Sequence, residues 1–275
     1  IKHFFSFVAG SYPKMKRLAL LISIFILLHA IPAEAEEVVN PDRFGNHEYL
    51  SFKVFYNLGF IWIDAGKVDF KLSRQQQENR DVFHIMSTGI SNPNWDWLYT
   101  LCDTFEVNFE ADSFRPINFR RNTSEGRKEI QENYHFDYEQ HQLYIERQSQ
   151  DSLSGSKNIN LDGKLYDILT ATYVARSMDF TYAIIGDTVS LPLVHEGEKI
   201  ILPIVFKGKE TIQNLKEENV SCFRFSAVIK TGSLFMKGET VDVWVSADNR
   251  QVPVSIEAKI VIGSIRVLLD ETLFQ

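Results

Sequence analysis

From Tyr49 to Leu269 the apolar residues recur at a spacing of two in segment after segment, and one long stretch, Leu161 to Phe180, changes to a helical spacing. Alternation puts successive side chains on opposite faces of an extended chain, so most of this sequence is committed to sheet. In the exceptional stretch, Leu165, Ile168, Leu169, Thr172, Ala175 and Arg176 fall at i, i+3, i+4, i+7, i+10 and i+11. That spacing draws one apolar stripe ending in a cation. The chain therefore predicts an all-β, mainly antiparallel fold in which curved sheets form a sandwich or an open barrel around one amphipathic helix.

The first strand pattern alternates Tyr49, Ser51, Lys53 and Phe55 with Leu50, Phe52, Val54 and Tyr56. It is apolar on nearly both faces, which predicts a central place in its sheet. Asn57-Leu58-Gly59 turns the chain into Phe60 to Leu72, with a bend at Ala65-Gly66, and the turn signals that follow divide the rest into about a dozen strands. No Pro/Gly/Ser linker interrupts residues 36–275, which read as a single domain.

At the start, Met15-Lys16-Arg17 precedes an apolar run from Leu18 to Ile31, and Ala33 and Ala35 supply small residues at positions −3 and −1 of a cut. The run falls short of the roughly 20 residues of a membrane-spanning helix. Residues 15–35 are thus expected to be a cleaved signal peptide, with no cysteine for a lipid anchor, and 1–14 an upstream segment that is mis-translated or disordered. The product would be periplasmic or envelope-associated, without a transmembrane helix in its mature chain. Removing residues 1–35 takes away Lys2, Lys14, Lys16, Arg17 and Glu34 and moves the net charge from −7 to −10. An acidic surface of that kind excludes nucleic acid as a partner class, because phosphate binding needs clustered cations.

No residue pattern assigns chemistry. The histidines His47, His84, His135, His141 and His195 share no metal-ligand spacing. There is no G-x-S-x-G or phosphate-cradling glycine loop, and an acid pair such as Asp96 with Asp103 could mimic the two carboxylates of a glycosidase, although ordinary solvated carboxylates look the same in sequence. The expectation is a protein that is not an enzyme, with no catalytic, metal or cofactor-binding residue and no cofactor. Trp95 and Trp97, beside turn formers in Ser91 to Trp97, are candidates to stack on a sugar or enter a lipid surface, or one of them plugs the barrel. Arg176, on the core-facing stripe, needs a partner if buried: an acid such as Asp103 or Asp137, or an anionic head group. Cys102 and Cys222 either form a disulfide, worth roughly 4 to 5 kcal/mol across so long a loop, or stay as two buried thiols. Arg115, Arg120, Arg121, Arg127 and Lys128 make a locally basic hairpin, read as a solvated face or a partner contact.

Five pieces of the chain, in order, carry a family resemblance. They are the strand pair closing on Asp64-Ala65-Gly66; Asp103-Thr104-Phe105 with Pro116 and Phe119; Phe136-Asp137; the helix with Asp167-Ile168-Leu169, Tyr173 and Arg176; and the run Trp244 to Val254. With these the chain resembles the exported bacterial proteins grouped as domain of unknown function 3108. The resemblance implies a secreted, non-enzymatic β domain, similar in outline to periplasmic lipoprotein-handling proteins in which a curved sheet wraps a helix and an apolar concavity takes acyl chains. It supplies no catalytic residues.

Two functions remain open from the sequence. One is an envelope protein that binds or carries an amphiphile, a lipid or glycan-lipid, in an apolar space beside the helix. The other is a scaffold with a fully packed core that holds another envelope protein at a sheet edge. A continuous apolar volume of about 300 Å³ or more would favour the carrier. The helix and the acidic strands oppose an outer-membrane barrel.

Overall fold

The computed structural model describes residues 40–95, 97, 100–126, 128–150, 154–228, 240–260 and 263–275. The expected leader, 15–35, and the segment before it lie outside the described residues, as do Asp96 and Arg127. Among the described residues fourteen strands follow one another in a single antiparallel sheet. Strands β1 (His47–Leu58), β2 (Ile61–Gln77), β3 (Arg80–Ser91), β4 (Leu101–Glu110), β5 (Pro116–Glu125), β6 (Lys128–Asp137), β7 (Gln142–Ser149) and β8 (Gly155–Asn160) walk outward as a meander. Helix α1 (Ile168–Ser177) comes next. Strands β9 (Thr188–His195), β10 (Glu198–Gln213), β11 (Asn219–Val228), β12 (Thr240–Ser246), β13 (Pro253–Lys259) and β14 (Ser264–Phe274) then walk back from the opposite edge until β14 pairs with β1. The twice-apolar first strand is central, between β2 and β14, as its pattern predicts.

Of the two architectures expected, the structure is the open barrel, made from one sheet. Edge strands β8 and β9 are not paired with each other. The crossing segment bridges them instead: the Leu161 amide donates to His141 O (2.9 Å), the Tyr166 amide to Pro192 O (3.0 Å), and the Val194 amide to Tyr166 O (2.9 Å). Lys157 of β8 meets Glu198 at 2.5 Å across the seam, and a lysine on an exposed edge also discourages pairing with another chain.

The helix is shorter than its sequence pattern. Gly163 takes a positive φ of 87° and Tyr166 is held by β9 in a parallel bridge, so the turns begin only after Asp167. That carboxylate caps α1, accepting from the amides of Leu169 (2.9 Å) and Thr170 (3.0 Å) and from the Thr170 hydroxyl (2.5 Å). The helix is also not one-sided: Leu169 through Ser177 are all buried. Small residues such as Thr170, Ala171 and Ser177, off the apolar stripe, occupy faces that a surface helix would give to charged residues, and they too are buried.

Aromatic side chains fill the barrel beside α1. Phe44, Phe83, Phe109, Phe114 and Tyr173 are in ring contact on one side, with centroids 5.0 to 6.4 Å apart. Phe180, Phe206, Phe223 and Phe225 form a second group. Both are tilted or edge-to-face arrangements, which add to the area they bury. Two glycines set the far end of the barrel. A Cβ at Gly66 would collide with the Ile90 backbone oxygen, and one at Gly263, whose φ is +84°, with that of Asn57. Among the described residues no helix is long and apolar enough to cross a membrane.

Candidate functional site

At one end of the barrel, Glu48 continues the inward-facing series of β1, followed by Leu50, Phe52 and Val54. The parity that buries those apolar residues also buries the carboxylate, directly in front of the last turn of α1. Arg176 meets it in a bidentate pair, Nη1 to Oε1 and Nη2 to Oε2, both at 2.6 Å. The Tyr173 hydroxyl donates to the same Oε1 (2.9 Å), and the guanidinium lies over both the Phe44 and Tyr173 rings, 5.0 and 4.9 Å from their centroids. Burial works against the charge on Arg176, but Glu48 more than offsets it and the pKa is raised. Arg176 is therefore paired inside the fold, and its partner is Glu48 rather than the Asp103 or Asp137 expected from sequence. Asp137 caps its own turn through the Gln140 amide.

The end of α1 is closed by a distant piece of chain. Gln251 Nε2 donates to the carbonyls of Arg176 and Met178, each at 2.7 Å, and Arg43 donates to the same two oxygens. These are carbonyls the helix cannot satisfy internally. Asp248 holds the turn that presents Gln251, accepting from the amides of Arg250 and Gln251 at 3.0 Å.

A second ionic row crosses the inner wall. Register places Arg121 opposite Glu132 and Glu132 opposite Arg147. Glu132 accepts from Arg147 (3.1 Å), from the Tyr134 hydroxyl (3.2 Å) and from Arg121 (3.4 Å), while Glu196, at the β9–β10 turn, approaches Arg121 at 3.7 Å. The expected basic hairpin is thus divided: Arg121 is buried and paired, Arg120 faces solvent, and Arg115 lies over the Tyr138 ring. One position along, Asp103 accepts from the Ser124 amide (3.0 Å), but its Oδ2 and Arg121 Nε have no hydrogen-bond partner among the described residues. Burial pushes the Asp103 carboxyl up to about 7.

The opposite end is apolar and open. The β1–β2 hairpin runs past the end of β3, and its tip exposes Phe60 (103 %), Ile61 (66 %) and Trp62 (45 %). Ile90 (43 %) and Trp97 (58 %) are exposed at the same end, on β3 and the loop after it. Trp95 joins the two pieces, donating from Nε1 to Asp64 O (3.0 Å), and the Asn92 amide donates to Ala65 O (2.9 Å). Of the two tryptophans singled out by sequence, Trp95 therefore buttresses the hairpin and Trp97 faces water. Phe60 to Trp62 were legible only as a strand beginning at a turn. The missing signal was the uncharged stretch Asn57 to Ile63 in a chain of net charge −7.

Cys102 and Cys222 are free thiols. Cys102 is exposed on β4 and Cys222 buried on β11, seven places away in the sheet order. A disulfide needs Cα atoms within about 7 Å, and burial raises the Cys222 thiol to about 12. Among the described residues no three His, Cys, Asp or Glu side chains are grouped to hold a metal. An open depression of about 420 Å³ beside Asn46, His47, Arg74 and Asp81 is polar, unlike the apolar concavity expected of a carrier.

The sequence profile of a family described as "Protein of unknown function (DUF3108)" matches residues 51–270. No curated protein matches the chain. Among solved structures, the crystal structure of a beta-barrel-like protein of domain of unknown function DUF1849 from Brucella abortus is similar. Its TM-score is 0.51 at 7 % sequence identity, over 83 % of this chain and 98 % of that one. The likeness is one of fold.

Proposed function

The chain belongs to the DUF3108 family of proteins of unknown function, and from that premise we propose that it is an exported, non-enzymatic binding protein of the cell envelope that works from its outer surface. The observation that carries this reading is the burial of α1 on every side among the barrel's own aromatic rings, which leaves the space beside the helix to side chains rather than to a guest. Export rests on the leader pattern of residues 15–35. The absence of catalysis rests on the ionic clusters, whose charged groups join strand to helix and strand to strand.

A second reading, an amphiphile carrier, draws support from Asp103 Oδ2 and Arg121 Nε, interior polar atoms that a head group would satisfy. Native mass spectrometry of protein purified from its own envelope separates the two. The expected species is the chain alone or with a stoichiometric protein, beginning near Glu36. One tightly held amphiphile per chain would transfer the case to the carrier, and an intact leader on soluble cytoplasmic protein would overturn export.

A further inference from the structure

We propose that the end of the barrel bearing Phe60, Ile61, Trp62 and Trp97 is a docking tip for a lipid surface, inserted into the interfacial layer of a bilayer. The proposal rests on the exported, outward-acting reading above and names what the outer surface meets.

Three observations choose a bilayer over a protein. The tip is convex: Phe60 is as exposed as in an extended peptide, so it offers a point rather than a flat patch or groove. Its area is small. With large side chains covering 150–250 Å² each, the five exposed residues present on the order of 600 Å², below the roughly 800 Å² per partner of a stable protein interface. Entry into a bilayer interface needs only a few apolar side chains at a shallow depth.

Charge is the third. Asn57 through Ile63 and Ile90 through Trp95 contain no ionisable residue and are followed by Asp64 and Asp96. Two of the cations behind the tip are paired, Lys67 with Asp69 at 3.0 Å and Arg266 with Glu257 at 2.7 Å, and Lys259 is exposed at the same end. Arg266 also lies over the Trp62 ring, 5.0 Å from its centroid. Apolar residues flanked by carboxylates and lacking a cluster of free cations, on an acidic protein, suit a zwitterionic rather than an anionic surface, and tryptophan and phenylalanine are side chains that settle at membrane interfaces. Gly66 and Gly263 allow the neighbouring backbones to close on the base of the hairpin, and Trp95 ties it to the next loop, so the tip is held out rather than left loose.

The test is flotation of the purified protein with vesicles of phosphatidylcholine alone and with added phosphatidylglycerol. Tryptophan emission is read in parallel, since Trp62, Trp95 and Trp97 are three of the four tryptophans. Binding to phosphatidylcholine with a blue shift is expected, unchanged in about 0.5 M salt. The double substitution Phe60→Asp/Ile61→Asp should lower the bound fraction about tenfold or more with unaltered far-UV circular dichroism, and Phe60→Leu/Ile61→Leu should retain binding.

Lack of flotation overturns the proposal, as does undiminished flotation of the aspartate variant. Binding confined to anionic vesicles and abolished by salt would place the contact on a charged face instead. A stoichiometric protein lost from the aspartate variant would make the tip a protein interface. Vesicle binding does not depend on export, and the mature N-terminus does not depend on the tip, so either reading can fail alone.

Discussion

Glu48 and Arg176 stand 128 residues apart in sequence and share two hydrogen bonds of 2.6 Å with no access to water, so the opening strand of the barrel and its helix are fastened to each other. Removing one partner leaves the other as an unpaired interior charge. Glu48→Gln and Arg176→Met should each cost about 3 to 5 kcal/mol in urea denaturation. The double variant should cost clearly less than the sum. Strict additivity would mean that the two side chains are not energetically coupled.

Asp103 gives the protein a stability that depends on pH. Its pKa rises from 3.8 to about 7 on folding, chiefly through burial, against opposing contributions from the Ser124 amide and Arg121. A raised carboxyl favours the folded state while protonated: its contribution is whole below pH 4 and is lost as pH climbs through 7. The loss is on the order of 2 to 4 kcal/mol. Asp167, raised to about 6 by burial, slopes the same way. Denaturation between pH 4 and 8 should show the decline, and Asp103→Asn should flatten it. A slope unchanged in that variant would clear Asp103 of the effect.

At Gly66, β2 passes tight against the end of β3. In Gly66→Ala the added methyl meets the Ile90 backbone oxygen, and one strand has to move. A cost of about 1 to 3 kcal/mol is expected, with greater acrylamide quenching of tryptophan as the Trp95 contact with Asp64 loosens. A variant as stable as the parent would show that the two strands can separate freely there.

The thiols should differ sharply toward an alkylating reagent. Cys102 is exposed, whereas Cys222 is buried with its pKa pushed to about 12; reactivity follows the thiolate and its access. Intact mass of native, unreduced protein treated with iodoacetamide should show one adduct, and a second only after unfolding. No adduct even after unfolding would mean that the two are bridged.

The architecture was legible where local pattern and tertiary role coincide. The first strand, apolar on both faces, is the centre of the sheet, and the single helical spacing marks the single crossing of the seam. The helix start was misread because Leu165 is in phase with the helical stripe although Tyr166 beside it is bound to β9. The true signal was Asp167 three residues before Thr170, a cap rather than a period. Arg176 was legible as buried and paired, but its acid was not, since β1 meets α1 only once the barrel has curled. Parity alone places Glu48 on the inner face, although it does not say what stands opposite. Trp97 drew notice by its composition, while Phe60 passed as the start of a strand, because periodicity reports which faces alternate and not whether a hairpin outruns its neighbour.

The pairing of β1 with β14 also sets the order in which this molecule can be completed. Every other strand finds its partner next to it in the chain, so both halves can assemble as they emerge. The most apolar strand keeps one side unpaired until the fourteenth arrives. Closing that gap spans nearly the whole domain, which makes it the slow step. Until then the half-finished sheet presents its central strand as a sticky margin that needs shielding from other chains.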